Sequence, residues 1–135
     1  MTTIEKVNLL QKSPVFQGVR TESLARIASI AREVNCDARQ LLFRENDGAD
    51  TMFLVLDGQV SLLKDGQPSA EAGPGQLVGV LALLAGESHL ESALATQPVR
   101  ALQIDQQDLY DAMAEDFHIT RGVLRALVHL APNAK

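Results

Sequence analysis

The residues with the strongest claim to chemistry lie in the run Gly75–Thr96, GQLVGVLALLAGESHLESALAT. Gln76–Val78 reads as a short strand, Gly79 as the turn that follows it, and Val80–Leu84 as a short apolar helix. A polar loop, Ala85–Glu87, comes next, and alternation resumes at about His89. A glycine that opens a helix directly after a strand leaves backbone N–H groups without helical acceptors. Together with the positive end of the helix dipole, those donors suit a bound anion. A buried connector would have the same pattern, so both readings stand at this point. His89 reads as a solvated loop histidine or as a pH-dependent anion contact, and Ser92 adds a hydroxyl.

Elsewhere the chemistry is sparse. His118 and His129 fall in the C-terminal helical region, without partners at metal-ligand spacing, and read as surface residues or caps. Asp47 and Asp50 read as turn residues. The lone Cys36 has no internal partner for a disulfide and reads as a structural thiol in a reducing compartment. No nucleophile–base pair, metal cluster or Gly-Lys-Ser/Thr phosphate loop is present, so an enzyme is not expected and neither a catalytic nor a metal site is assigned.

The 135 residues are enough for one domain with a real core. A formal net charge of −5, with basic residues scattered singly, argues against nucleic acid as a partner. No apolar run approaches a membrane span and no leader pattern opens the chain, so a cytoplasmic location without membrane insertion is expected. The residues after the helix holding Leu109 are too few for a helix-turn-helix, which also disfavours a transcription factor.

Several elements must position Gly75–Thr96. Thr2–Lys12 has the spacing of an amphipathic helix capped by Thr2 or Thr3, and Ser13-Pro14 ends it. Val15 and Phe16 form an apolar anchor, and a second helix begins at Thr21. From about Val34 the hydrophobic period falls to two, with strands at Leu41–Arg44, Thr51–Leu56, Gln59–Lys64 and Val99–Ile104. Turns are expected at Asn46-Asp47-Gly48, Asp57-Gly58, Asp65-Gly66 and Pro74-Gly75. Short strands with closely spaced turns suggest a small antiparallel barrel or jelly roll, since closure removes exposed edges. Asp105 caps a further helix through Leu109, Tyr110, Met113 and Ala114. A last helix runs from roughly Ile119 to Pro132. The Leu124–Leu130 stripe on it is either core or a surface for a partner helix.

These residues carry a family resemblance. LLFRENDGADTMFLVLDGQVSLLKDG, Leu41–Gly66, and GPGQLVGVLALL, Gly73–Leu84, resemble the hairpin and cassette of the cyclic nucleotide-binding domain. LQKSPVF (Leu10–Phe16) is similar to its N-terminal helix and turn, and IDQQDLYDAM (Ile104–Met113) to the helix after its last strand. The likeness runs over about residues 4 to 130 and looks closest to versions appended to larger transport or helical-repeat proteins. It implies an α+β, mostly β fold: a small antiparallel, jelly-roll-like β-roll of about eight short strands, flanked by helices. The expected parts are residues 1–32, N-terminal helices, residues 33–104, the β-roll with a phosphate-cassette-like segment at 75–96, and residues 105–131, C-terminal helices.

The resemblance also implies a ligand pocket in which glycine and backbone amides meet a cyclic phosphate, a glutamate binds the ribose hydroxyl and an arginine neutralises the phosphate. Gly79, Leu81 and Ala82 match that pattern, but the glutamate position is Val80. The arginine position is His89 in an ungapped register, or Glu91 followed by Ser92 with a longer loop. The expectation is therefore a non-catalytic regulatory domain that has lost ordinary cAMP or cGMP binding. It would dock on another protein domain or form a homodimer through its C-terminal helices. The alternative is a sensor that still binds a cyclic nucleotide or other small anion at Gly79, Val80, Leu81, Ala82, His89 and Ser92 and moves those helices.

Overall fold

The computed structural model describes residues 1–130 of the chain, which run α1 (Thr3–Gln11), α2 (Thr21–Ile30), β1 (Arg32–Cys36), β2 (Leu41–Phe43), β3 (Thr51–Asp57), β4 (Val60–Lys64), β5 (Gln67–Ala72), β6 (Leu77–Val78), α3 (Val80–Ala85), β7 (Ser92–Ala95), β8 (Val99–Asp105), α4 (Gln106–Glu115) and α5 (Phe117–Leu130). They divide into two compact units. One is the contiguous stretch Arg32–Gln106, and the other joins Met1–Ala31 to the chain from Gln107 onward.

The contiguous unit is a β-roll of two antiparallel four-stranded sheets, ordered β1-β8-β3-β6 and β2-β7-β4-β5. The turn chemistry explains the hairpins. Asp65 and Gly66, between β4 and β5, both take positive φ (51° and 77°), as the two-residue turn that matches strand twist requires. The Asp65 N–H also donates to Glu45 Oε1 at 2.9 Å. Phe53, Val55 and Val78 from the first sheet meet Val60, Ala93 and Ala95 from the second in one buried cluster. Alanines at facing positions let the sheets close around the larger side chains at interior density. Strand β5 has no counterpart in the sequence expectations. Five of its six residues are exposed, so no alternation marks it. Asp105, expected to cap the next helix, is the last residue of β8 and directly precedes α4, and its carboxylate accepts from Gln103 Nε2.

The helical unit is organised by caps and a few large buried side chains. Thr2 caps α1 in a reciprocal box: the Glu5 N–H donates to Thr2 Oγ1 and the Thr2 N–H to Glu5 Oε1, both at 3.1 Å. Leu10, Phe16, Leu24, Ile27, Leu109 and Ile119 are fully buried. Burying each large apolar side chain contributes on the order of 1.5–3 kcal/mol. Ser23, buried on α2, donates to Asp116 Oδ2 at 2.7 Å and so ties α2 to the junction of α4 and α5. Helix α5 starts at Phe117, two residues before expected. Leu124 and Val128 on it are exposed, which places this part of the stripe on the surface of the unit, whereas Val123 and Ala126 are buried. Pro132, expected to end this helix, lies outside the described residues.

Candidate functional site

The Gly75–Thr96 segment has the order of elements read from its sequence, β6, Gly79, α3, a loop and β7, but α3 takes in Ala85 and β7 begins at Ser92, three residues after His89. Gly79 has φ 81° and ψ 5°, the left-handed region, and precedes the first residue of α3. A Cβ added there would lie 3.0 Å from both His89 Cε1 and Phe43 Cε2, so two rings close over the glycine. Glycine is required here by backbone angle and by space.

His89 overturns the expectation of a solvated loop histidine. It is only 3% exposed, and its ring stacks on Phe43 with centroids 3.7 Å apart and planes at 11°. The reason lies far away in sequence. The Asn46 N–H donates to the His89 carbonyl at 2.8 Å, and the His89 N–H donates to the Asp47 carbonyl at 2.9 Å. The Ala49 N–H donates to the Glu87 carbonyl at 3.1 Å, so the Asn46–Gly48 turn fastens the whole loop after α3. Pairing of β2 with β7 brings Phe43 opposite Ala93 and beneath the histidine. Burial pulls the His89 pKa below the ordinary imidazole value, while the negative charges of Asp47 and Asp50 oppose that shift. At neutral pH the ring is an uncharged packing element.

The other candidate residues divide between cavity and framework. Val80, Leu81 and Ala82 line a cavity of about 210 Å³ together with His89, Leu90 and Glu91. Leu81 and Leu90 are 61% and 71% exposed and form its apolar lip. Ser92 does not line this cavity; its Oγ accepts from the Glu45 N–H at 2.9 Å and holds the start of β7. The Glu91 carboxylate accepts from Ser69 Oγ, on β5. Phe43, Glu45 and Ser69 were missed by sequence reasoning, because nothing in a lone phenylalanine, glutamate or serine announces a partner in another strand.

The fit to a cyclic nucleotide is poor. Among the described residues, no lysine or arginine lines the cavity, and its ionisable side chains are His89 and Glu91. A buried phosphodiester would face a carboxylate with no cation to offset it. Val80 offers no acceptor for a sugar hydroxyl, and the cavity falls below the ordinary range of about 300–1,000 Å³ for small-molecule sites.

Similarity to known proteins agrees with the architecture. Residues 33–116 match the family described as the cyclic nucleotide-binding domain. A CRP-like cAMP-activated global transcriptional regulator from Mycobacterium tuberculosis is 23% identical over 124 residues, covering 88% of this chain and 55% of its own length. The N-terminal domain of a transcriptional regulator from Streptomyces coelicolor A3(2) superimposes with a TM-score of 0.79 at 26% identity, covering 90% of this chain and 88% of that one. A cyclic nucleotide-binding domain from Methylobacillus flagellatus KT shares the fold with a TM-score of 0.80 at 23% identity, over 95% and 75% of the two chains. The chain spans about half or less of the length of the curated relatives it matches. With the two-sheet roll, the left-handed glycine before α3 and a match over most of its length, the chain belongs to the cyclic nucleotide-binding domain family.

Proposed function

We propose that this chain is a non-catalytic regulatory domain whose cassette no longer holds a cyclic nucleotide, and that it works by docking on another protein domain or a second copy through its C-terminal helices. The observation that carries this reading is the stack of His89 on Phe43, closed over Gly79, beside a cavity lined by the Glu91 carboxylate and, among the described residues, by no lysine or arginine. A charge-assisted hydrogen bond to a ligand is worth about 1.5–3 kcal/mol. Losing both the glutamate and arginine partners removes about 3–6 kcal/mol, or about two to four orders of magnitude in affinity. The exposed Leu124 and Val128 on α5 support the docking half of the reading.

A second reading, a sensor that binds a small ligand at the cassette and moves its C-terminal helices, is favoured by one feature: the turn into α3 is intact and a cavity remains beside it. Calorimetric titration with cAMP and with cGMP at about pH 7.5 and about pH 5.5 separates the two. Silence at both pH values is the expected result. Saturable binding in the low micromolar range at the higher pH would overturn the proposal. Binding confined to the lower pH and abolished by His89→Ala would move the case to the second reading, with protonated His89 as the missing cation.

A further inference from the structure

The helical unit carries a concavity of its own, independent of the cassette. A cavity of about 310 Å³ lies between the segment before α2 and one face of α5, lined by Gly18, Arg20, His118, Arg121, Gly122 and Arg125. Four of these six residues carry a basic group, in a chain with a net charge of −5 and 12 lysines and arginines in all.

The fold assembles this cluster against its own electrostatics. Arg121 and Arg125 are four residues apart on α5, a spacing at which like charges face one another and repel, and His118 lies three residues before Arg121 on the same helix. Arg20 joins them because two glycines let the chain close up. A Cβ on Gly122 would fall 2.7 Å from Val19 Cγ2 and 3.1 Å from the Gly18 carbonyl oxygen, so the segment rests directly on the helix backbone.

Among the described residues no ion pair offsets the charge of these three arginines. None of the ion pairs among the described residues involves Arg20, Arg121 or Arg125; Arg26 pairs with Glu115, Arg32 with Asp105, and Arg100 with Glu33 and Asp57. The carboxylate that feels Arg20 and His118 is Asp116, and it already accepts hydrogen bonds from Ser23 Oγ and from the His118 N–H, at 2.7 and 2.9 Å. Three guanidiniums and an imidazole thus share one concavity, and the Asp116 carboxylate that feels Arg20 and His118 is already hydrogen-bonded.

We propose that this pocket binds a small phosphate-bearing anion, a phosphomonoester or a diphosphate. Guanidinium groups present planar forks that grip phosphate oxygens two at a time, and they keep their charge at any physiological pH. A volume of about 310 Å³ holds a phosphate group with little attached to it, and the glycine floor lets such a group approach the backbone.

The test is calorimetric titration of the 135-residue chain with pyrophosphate and with inorganic phosphate at about 150 mM salt, where screening suppresses loose surface association. One-site pyrophosphate binding is expected, weakened about tenfold by each of Arg20→Gln, Arg121→Gln and Arg125→Gln and unchanged by Arg44→Gln on the β-roll. Gly122→Ala should also weaken binding without removing a charge, because the added methyl lifts the segment off the helix; if that variant fails to fold, the three glutamine variants carry the test. Absence of saturable binding, or equal binding by the arginine variants, would overturn the proposal. So would association with vesicles rich in acidic phospholipid while free pyrophosphate fails, since that would mark a charged surface and not a pocket.

Discussion

Replacing Gly79 with alanine tests whether the cassette is closed by packing. At φ 81° alanine sits in the left-handed region, at a cost of about 1–2 kcal/mol. Its Cβ would lie 3.0 Å from His89 Cε1 and from Phe43 Cε2, so one or both rings must move. Separating the stacked pair gives up about 0.5–1.5 kcal/mol beyond the lost area. Alanine also stiffens the unfolded chain, which returns about 0.4–1 kcal/mol. The net loss is about 0.5–3 kcal/mol. Gly66→Ala supplies the reference, because Gly66 has nearly the same φ, 77°, and nothing within 4 Å of the added Cβ. That substitution should lose only about 0–1.6 kcal/mol, from backbone strain less chain stiffening. Urea unfolding followed by far-ultraviolet circular dichroism reads both, and Gly79→Ala should unfold at clearly lower urea than Gly66→Ala, by up to roughly 1 M. Equal midpoints would refute the reasoning, since the rings would then not be packed against the glycine.

Three further outcomes are expected. The folded His89 pKa lies below its unfolded value of about 6.5, so the unfolded chain takes up the proton first; stability held above about pH 6.5 is lost as pH falls through the window between the two values. His89→Phe keeps the stack and should lack this component in urea titrations repeated across that range. Supplying the missing partners with Val80→Glu and Glu91→Arg together should raise cAMP affinity in calorimetry by about two to four orders of magnitude; no gain would show that the closed stack, and not the missing charges, bars the ligand. The Asp116 carboxyl is held below its ordinary pKa chiefly by the Ser23 hydroxyl, so Ser23→Ala should raise it in a carboxyl NMR titration, and the stabilisation that wild type loses on acidification should shrink.

The sequence shows some of this clearly and some not at all, for physical reasons. The turns were legible because Asn-Asp-Gly, Asp-Gly and Pro-Gly carry their own backbone preferences, and α3 because a glycine must stand before it. The cap of α1 was legible because Thr2 and Glu5 act within one turn. Strand β5 was not, since an edge strand with Pro68 and polar neighbours buries almost nothing. The burial of His89 was not either. It depends on backbone pairing with residues more than 40 positions earlier and on Phe43, and local pattern carries no information about such contacts. The cavity around Arg20 escaped for the same reason: its arginines look scattered along the chain, and only the approach of Gly18 to Gly122 gathers them.

The division of the chain has a consequence for how it is made. The β-roll is one uninterrupted stretch, Arg32–Gln106, whose first and last strands are hydrogen-bonded neighbours, with Arg32 paired to Gln103. The helical unit is split between the two ends of the chain. A ribosome delivers these parts in order, so the roll has all its strands once residue 106 has emerged, while α1 and α2 must wait for α4 and α5. Through that interval Leu10, Phe16, Leu24 and Ile27 have no completed unit to enter. The most exposed stage of biogenesis thus falls in the first 31 residues, and truncation near residue 106 would make that exposure permanent.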